Sequence, residues 1–348
     1  MSYITINDRK IGHDQPPYII AEMSANHNGK IENAFAIIKM AKECGADAVK
    51  LQTYKPDTIT LDSDSPDFII KGGLWDGQSL YELYQGAHLP WEWHKILFEY
   101  AAEIGITIFS SPFDDTAVDL LEELNTPAYK IASFEAIDLP LIRRVAATGK
   151  PMIISTGIAD EIEIAEAIEA AQNAGCKELA ILHCVSGYPA PAEDYNLHTI
   201  TDMKDRYKLI IGLSDHTLDN TTAITSVALG VSIIEKHVTL DRNGGGADDS
   251  FSLEASGLKE LCTGAKTAWI SLGTVNYGKK SSEKGNVQFR RSLYFIKPMK
   301  KGDIITPEHI KSVRPGFGLA PKYYGDIIGK IVTKDIKFAT AVQPDLFK

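Results

Sequence analysis

Residues 207–216 read YKLIIGLSDH. An apolar run suited to a buried strand ends here in Ser214, Asp215 and His216, three groups that hydrogen-bond or ligate metals. The same habit recurs along the chain. Strands are expected near 18–22, 47–52, 106–111, 128–133, 151–156, 179–186, 208–216 and 232–239. Between them lie stretches with helical spacing, such as IENAFAIIKMAKECG (31–45) and DEIEIAEAIEAAQNAG (160–175). The second of these stops at Gly175, a C-terminal helix signal. Alternating strand and helix implies parallel strands joined by right-handed crossovers, and eight such units imply a closed (β/α)8 TIM barrel. An open doubly wound sheet is the alternative, but no GxGxxG follows the first strand.

On a (β/α)8 barrel, chemistry sits at the C-terminal strand ends. Here those ends carry Glu22, Lys50, Ser111, Lys130, Ser133, Ser155, Ser186, Ser214, His216 and His237. A packed strand end has no general need of charge, so the set points to one convergent polar site. Loop starts are polar anyway, which would explain any single serine. His216 and His237 end neighbouring strands and suit an open, catalytic divalent metal, although a lone histidine is more often a hydrogen-bonded core residue; Asp215 and Glu235 are read either as groups that orient the pair or as simple helix caps or surface ion pairs. Lys50 and Lys130 interrupt apolar strands, and lysine is rarely buried alone. They read as two ammonium groups facing a small anion, with the serines adding hydroxyl donors. Salt bridges to barrel carboxylates, or a Schiff-base lysine, are the other readings. Asn26 and His27 either touch ligand or cap the next helix.

Between strands two and three, residues 53–105 form a long aromatic and polar interval, expected to be an elaborated loop with short helices shaping a pocket. The barrel reading covers 1–272. Residues 273–289 look like a polar linker, and 290–348 like a small β-rich domain. The net charge of -10 argues against a nucleic-acid partner. No apolar run approaches membrane-span length, and the N-terminus lacks a signal peptide's apolar core. Four scattered cysteines fit reduced thiols in a cytoplasmic protein.

Read in order, IIAEMSANHNG, AVKLQT, SSPFD, YKIASFE, STG, LHCVSGYP, GLSDHT and EKHVT resemble the motifs of the sialic-acid synthase family. RPGFGLAP resembles that family's C-terminal antifreeze-like (SAF) domain. The match spans roughly 15–348. The resemblance implies condensation of phosphoenolpyruvate with an N-acetylated amino sugar in its open aldehyde form. It implies manganese or magnesium on His216 and His237. It also implies a phosphoenolpyruvate cradle of Lys50, Ser111, Lys130, Ser133, Ser155 and Ser214. Glu22 and Asp248 are implied to face the sugar, with Glu135 and Tyr188 nearby. Arg314 is implied to reach the site of a partner subunit in a domain-swapped homodimer. The family typically has Asn where this chain has Ser186, which is placed here on the phosphoenolpyruvate side. GGGADDSFSLE (244–254) and LYELYQGAHLPWEWH (80–94) look more like the pseudaminic acid synthase branch, whose sugar is 2,4-diacetamido-2,4,6-trideoxy-L-altrose rather than N-acetylmannosamine. The aromatic and apolar residues Leu74, Trp75, Tyr81, Trp91 and Trp93 would suit a 6-deoxy sugar, and ordinary packing is the equal alternative. Bacterial surface or flagellar glycan synthesis is the implied setting. A Schiff-base aldolase and a carbohydrate- or ice-binding protein are the competing readings.

Overall fold

The computed structural model describes residues 3–348. These form two compact units, residues 3–273 and 274–348, taken here one at a time.

The first unit is a closed, all-parallel eight-stranded barrel. Ahead of it stands an antiparallel hairpin, β1 (Ile4–Ile6) and β2 (Arg9–Ile11). The barrel strands are β3 (Tyr18–Glu22), β4 (Ala48–Thr53), β5 (Thr107–Pro112), β6 (Tyr129–Ile131), β7 (Met152–Ser155), β8 (Leu179–Cys184), β9 (Ile210–Asp215) and β10 (Ile233–His237). They neighbour one another in chain order, and β10 pairs with β3 to close the ring. The eight strands thus stand where the apolar runs placed them. The crossover helices are α1 (Ile31–Cys44), α4 (Trp93–Ile104), α5 (Asp115–Glu123), α6 (Leu139–Ala146), α7 (Glu161–Asn173), α8 (His198–Tyr207) and α9 (Thr221–Ala228), with α10 (Ala255–Leu272) following β10. Within the 53–105 interval, α2 (Pro56–Ile59) and α3 (Leu80–Ala87) are additions to the barrel. The helices start and stop on local signals. Asp160 caps α7 in a capping box with Glu163, and Gly175 follows it at φ +103°.

Successive strand residues face opposite ways, so each strand has one inward and one outward set. The outward set (Val49, Leu51, Ile131, Ile154, Ile211, Leu213) packs under the helices. The inward set changes character along the axis. Its lower half is apolar: Ile20, Ala48, Phe109, Ile153, Ala180, Leu182, Ile210 and Ile233 form one cluster with Ile4, Ile6 and Ile11 of the hairpin. The hairpin therefore plugs the lower end. Gly212 is required inside: a Cβ there would lie 2.4 Å from Leu182 Cδ2 and 2.6 Å from the Ile233 carbonyl oxygen. The upper half of the same inward set is Glu22, Lys50, Ser111, Lys130, Ser155, Ser214, Glu235 and His237, all buried.

The second unit has an antiparallel pair, β11 (Ser292–Phe295) and β12 (Ile310–Val313), and several isolated bridges. Leu293, Phe295, Met299, Ile305, Ile310, Val332 and Val342 give it a core of its own. Residues 281–289, expected as linker, are wound into a 3-10 helix. Among the described residues no helix is long and apolar enough to cross a membrane, and all four cysteines are free thiols.

Candidate active site

The upper inward residues open into a cavity of about 460 Å3 on the C-terminal face of the barrel. Its floor is a lattice of buried charges. Lys50 Nζ lies 3.2 Å from Glu22 Oε2 and 3.3 Å from Glu235 Oε1, and Lys130 Nζ lies 3.4 Å from that same Glu235 oxygen. Lys50 also donates to Ser111 Oγ at 3.3 Å, and Ser214 Oγ donates to Glu235 Oε1 at 3.4 Å. The expected lysines are thus together, and both are ion-paired with barrel carboxylates. Glu235 is the hub, a role the sequence reading did not give it. Its signal was parity: it lies two residues before His237 and so shares its face.

Burial divides the two carboxylates unequally. It pushes Glu22 up to about 7 against the pull of Lys50. It pushes Glu235 up as well, but Lys130 and Lys50 outweigh it, and Glu235 ends below the usual carboxylate range. Burial likewise lowers Lys130 and raises Glu135 to about 7. One protonatable carboxyl beside one firmly charged one is an acid–base arrangement.

On one side of the floor, Ser133 Oγ accepts from the Gly157 N–H at 3.2 Å and donates to Cys184 Sγ at 3.4 Å. A Cβ on Gly157 would come within 2.1 Å of Ser186 Oγ and 2.8 Å of Ser133 Oγ, so the glycine keeps this corner open. Ser155 Oγ is buried there without a partner. On the other side, Gln52 Nε2 donates to Glu22 Oε1 at 2.9 Å and Ser24 Oγ at 3.1 Å, and Ser24 Oγ donates to Asp248 Oδ2 at 2.5 Å. Gln52 and Ser24 join the expected Glu22 and Asp248 in one polar chain. Glu135, in the 3-10 turn after β6, also lines the cavity and has a buried, unpartnered Oε2.

The two histidines stand at the rim with ring centres 5.3 Å apart. His216 Nδ1 bonds the Val185 carbonyl at 2.7 Å, which leaves Nε2 as the free ring nitrogen. His237 Nδ1 is buried without a hydrogen-bond partner, 3.6 Å from Asp248 Oδ2. Tyr188 covers the pair, 4.4 Å from His216 and 6.1 Å from His237 between ring centres. Among the described residues no set of three His, Cys, Asp or Glu gathers around a metal position. The pair fits an ion that takes two protein nitrogens and keeps its other positions for oxygens.

Four expectations are corrected. Asp215 does not orient a histidine: it faces outward and pairs with Lys236 at 2.7 Å. Glu235 faces inward but serves the lysines. Asn26 and His27 are buried structural groups, Asn26 bonding the Val238 carbonyl and Ser252. Of the aromatic set, Trp75 lines the cavity, whereas Trp91 lies under Lys55 and Trp93 packs on His27. Arg314 is exposed in the second unit.

Fold and site together define an enzyme of the (β/α)8 class with a charged chamber at the C-terminal strand ends. The chain belongs to the NeuB family, whose profile matches residues 37–277, and a SAF domain profile matches 290–348. It is 45% identical over 335 residues to a pseudaminic acid synthase of Campylobacter jejuni, covering 96% of this chain and 98% of that protein. It is 44% identical to a pseudaminic acid synthase of Helicobacter pylori, covering 95% and 98%. The crystal structure of N-acetylneuraminic acid (sialic acid) synthetase from Leptospira borgpetersenii superposes with a TM-score of 0.73 at 30% identity, covering 83% of this chain and 96% of that one.

Proposed function

We propose that this chain condenses phosphoenolpyruvate with 2,4-diacetamido-2,4,6-trideoxy-L-altrose to give pseudaminic acid and phosphate. The observation that carries the choice of sugar is the gap between 44–45% identity to the pseudaminic acid synthases and 30% to the sialic acid synthetase. The alternative sugar is N-acetylmannosamine. A Schiff-base aldolase would leave the histidine pair without a use.

Phosphoenolpyruvate sits on the floor. Lys50, Lys130 and the hydroxyls of Ser111, Ser133, Ser155, Ser186 and Ser214 hold its phosphate and carboxylate. The two lysines lie 3.2–3.4 Å from their carboxylates, which fixes where they present charge. The sugar lies above, with Glu22, Asp248, Glu135 and Tyr188 around its hydroxyl and acetamido groups. His216 and His237 would hold a divalent ion, manganese or magnesium, and that ion would supply Lewis-acid polarisation of the aldehyde. The enol carbon then bonds the aldehyde carbon, and Glu22 in its protonated form gives the aldehyde oxygen the proton that makes it a hydroxyl, becoming the carboxylate that accepts one back from water. Water adds to the carbon that bore the phosphate ester, giving its proton to Glu22, whose elevated pKa of about 7 suits that exchange. The carbon–oxygen bond to phosphate breaks, and the 2-keto acid results.

Among the described residues no arginine lines the cavity. We assign the missing guanidinium to Arg314 of a second copy, in a domain-swapped homodimer of the cytoplasm. Exposed apolar side chains on the loops after β6 and β7 (Phe134, Ile137 and Ile158) support a covering partner.

Phosphate release from phosphoenolpyruvate is the test, with manganese and either sugar, then with a chelator. Release with the altrose sugar, stopped by the chelator and restored by metal, is expected. Release with N-acetylmannosamine alone would make this a sialic acid synthase, and chelator-insensitive release would remove the metal assignment.

A further inference from the structure

The two rim histidines are held in different ways. His237 is the last residue of β10 and lies inside the sheet, in register with Glu22 of β3. His216 stands one residue past β9, where the ladders have ended: pairing with β8 stops at Ser214 and pairing with β10 at Asp215. The sheet therefore fixes one ring of the pair and not the other. His216 takes its partners from the segment after β8 instead. Its Nδ1 bonds the Val185 carbonyl at 2.7 Å, its carbonyl accepts from the Ala190 N–H at 3.1 Å, and its own N–H donates to the Tyr195 hydroxyl at 2.6 Å. That hydroxyl also donates to the Ser214 carbonyl at 3.3 Å. One phenol oxygen thus closes the backbone on both sides of Asp215, as a neighbouring strand would.

Tyr195 is itself firmly placed. It ends the 3-10 turn Ala192–Tyr195, is fully buried, and packs in the shell under the helices rather than in the cavity. Its carbonyl is tied to His183 Nε2 at 2.5 Å, and the two rings meet edge to face. A buried peptide N–H needs an acceptor, and past the end of the sheet Tyr195 supplies it to His216. Residues 214 and 216 are two apart and turn to the same face. The hydroxyl therefore clamps the backbone of both the serine that donates to Glu235 and the histidine at the rim. We infer, on the reading of the histidine pair as a divalent-ion site given above, that Tyr195 is the positioning residue for His216: through the backbone it clamps, its hydroxyl sets the spacing of the two rings, 5.3 Å between centres.

The experiment titrates manganese alone into the full-length protein, without substrates, and reads the bound ion by electron paramagnetic resonance. It compares wild type with Tyr195→Phe, which keeps the ring and removes only the hydroxyl. Tyr129→Phe is the control: it breaks another buried phenol bond, to Glu122 at 2.7 Å, on β6, three strands from β9. Both variants lower the thermal midpoint, and Tyr195→Phe alone weakens manganese binding, roughly ten- to a hundredfold. Equal manganese affinity in wild type and Tyr195→Phe, or the same weakening in Tyr129→Phe, overturns the inference while the metal reading stands. Hydrogen–deuterium exchange on wild type is a second test that needs no variant. Manganese should slow the amides of residues 190–197 together with those around 216, and slowing around 216 and 237 alone overturns the coupling. Wild type that binds no manganese would overturn the metal assignment and this inference with it.

Discussion

Ser155 and Glu235 show two ways a buried polar side chain serves this site. Ser155 Oγ makes no hydrogen bond within the protein. Its removal therefore costs folding little, while the bound anion loses a charge-assisted donor. Ser155→Ala is expected to leave the thermal midpoint nearly unchanged and to raise the KM for phosphoenolpyruvate roughly ten- to a hundredfold. A drop in midpoint without a KM change would refute the assignment. Glu235 holds two ammonium groups, so truncating it would leave buried charge uncompensated, and a loss of activity there would not isolate a binding role. The sequence exposed the serines, lysines and histidines because polar residues stand out in apolar strands. It misassigned Asp215 because adjacency in the chain hid the pleat: Asp215 and His216 are neighbours that face opposite ways. Gln52 and Glu235 were legible by counting in twos from Lys50 and His237.

At the scale of elements, two neutral histidines tie α4 to its neighbours, His94 to the end of β4 and His27 to the turn after β3. His94 Nε2 lies 2.8 Å from Thr53 Oγ1, and Trp93 packs on His27. Burial depresses both imidazoles to about 4. The unfolded chain titrates these groups near 6.5, so it gains protons first as pH falls. Their stabilising contribution is complete above about pH 6.5 and disappears progressively toward pH 4, roughly 3 kcal/mol for each ring. The midpoint difference between wild type and His94→Gln should therefore shrink over that window. A difference constant from pH 7 to 4 would show that His94 does not titrate with unfolding. The eight strands were readable from apolar runs, and the capped helices from their end signals. The path of 53–105 was not. The hairpin at 69–79 is fixed by glycines at positive φ and by bonds to its own backbone, and no periodicity announces such a turn.

For the whole molecule, two units with separate cores allow the barrel's chemistry and the tail's contribution to be inactivated in different chains. Full-length His216→Ala and Arg314→Ala proteins should each be nearly inactive. If each tail serves the other chain's barrel, mixed dimers carry one intact site of two. Random reassortment then restores about a quarter of wild-type activity. No recovery after subunit exchange, with mixed dimers demonstrated, would place each Arg314 at its own barrel or at none.

The hairpin that plugs the lower barrel has one more consequence. A chamber stoppered below admits everything from above, so its occupants must queue. If phosphoenolpyruvate lies on the lysine floor beneath the sugar, as proposed, it has to enter first and can leave only after the sugar has gone. On that reading, traffic order would be set by the apolar lower barrel and the three isoleucines packed beneath it, none of which meets a substrate.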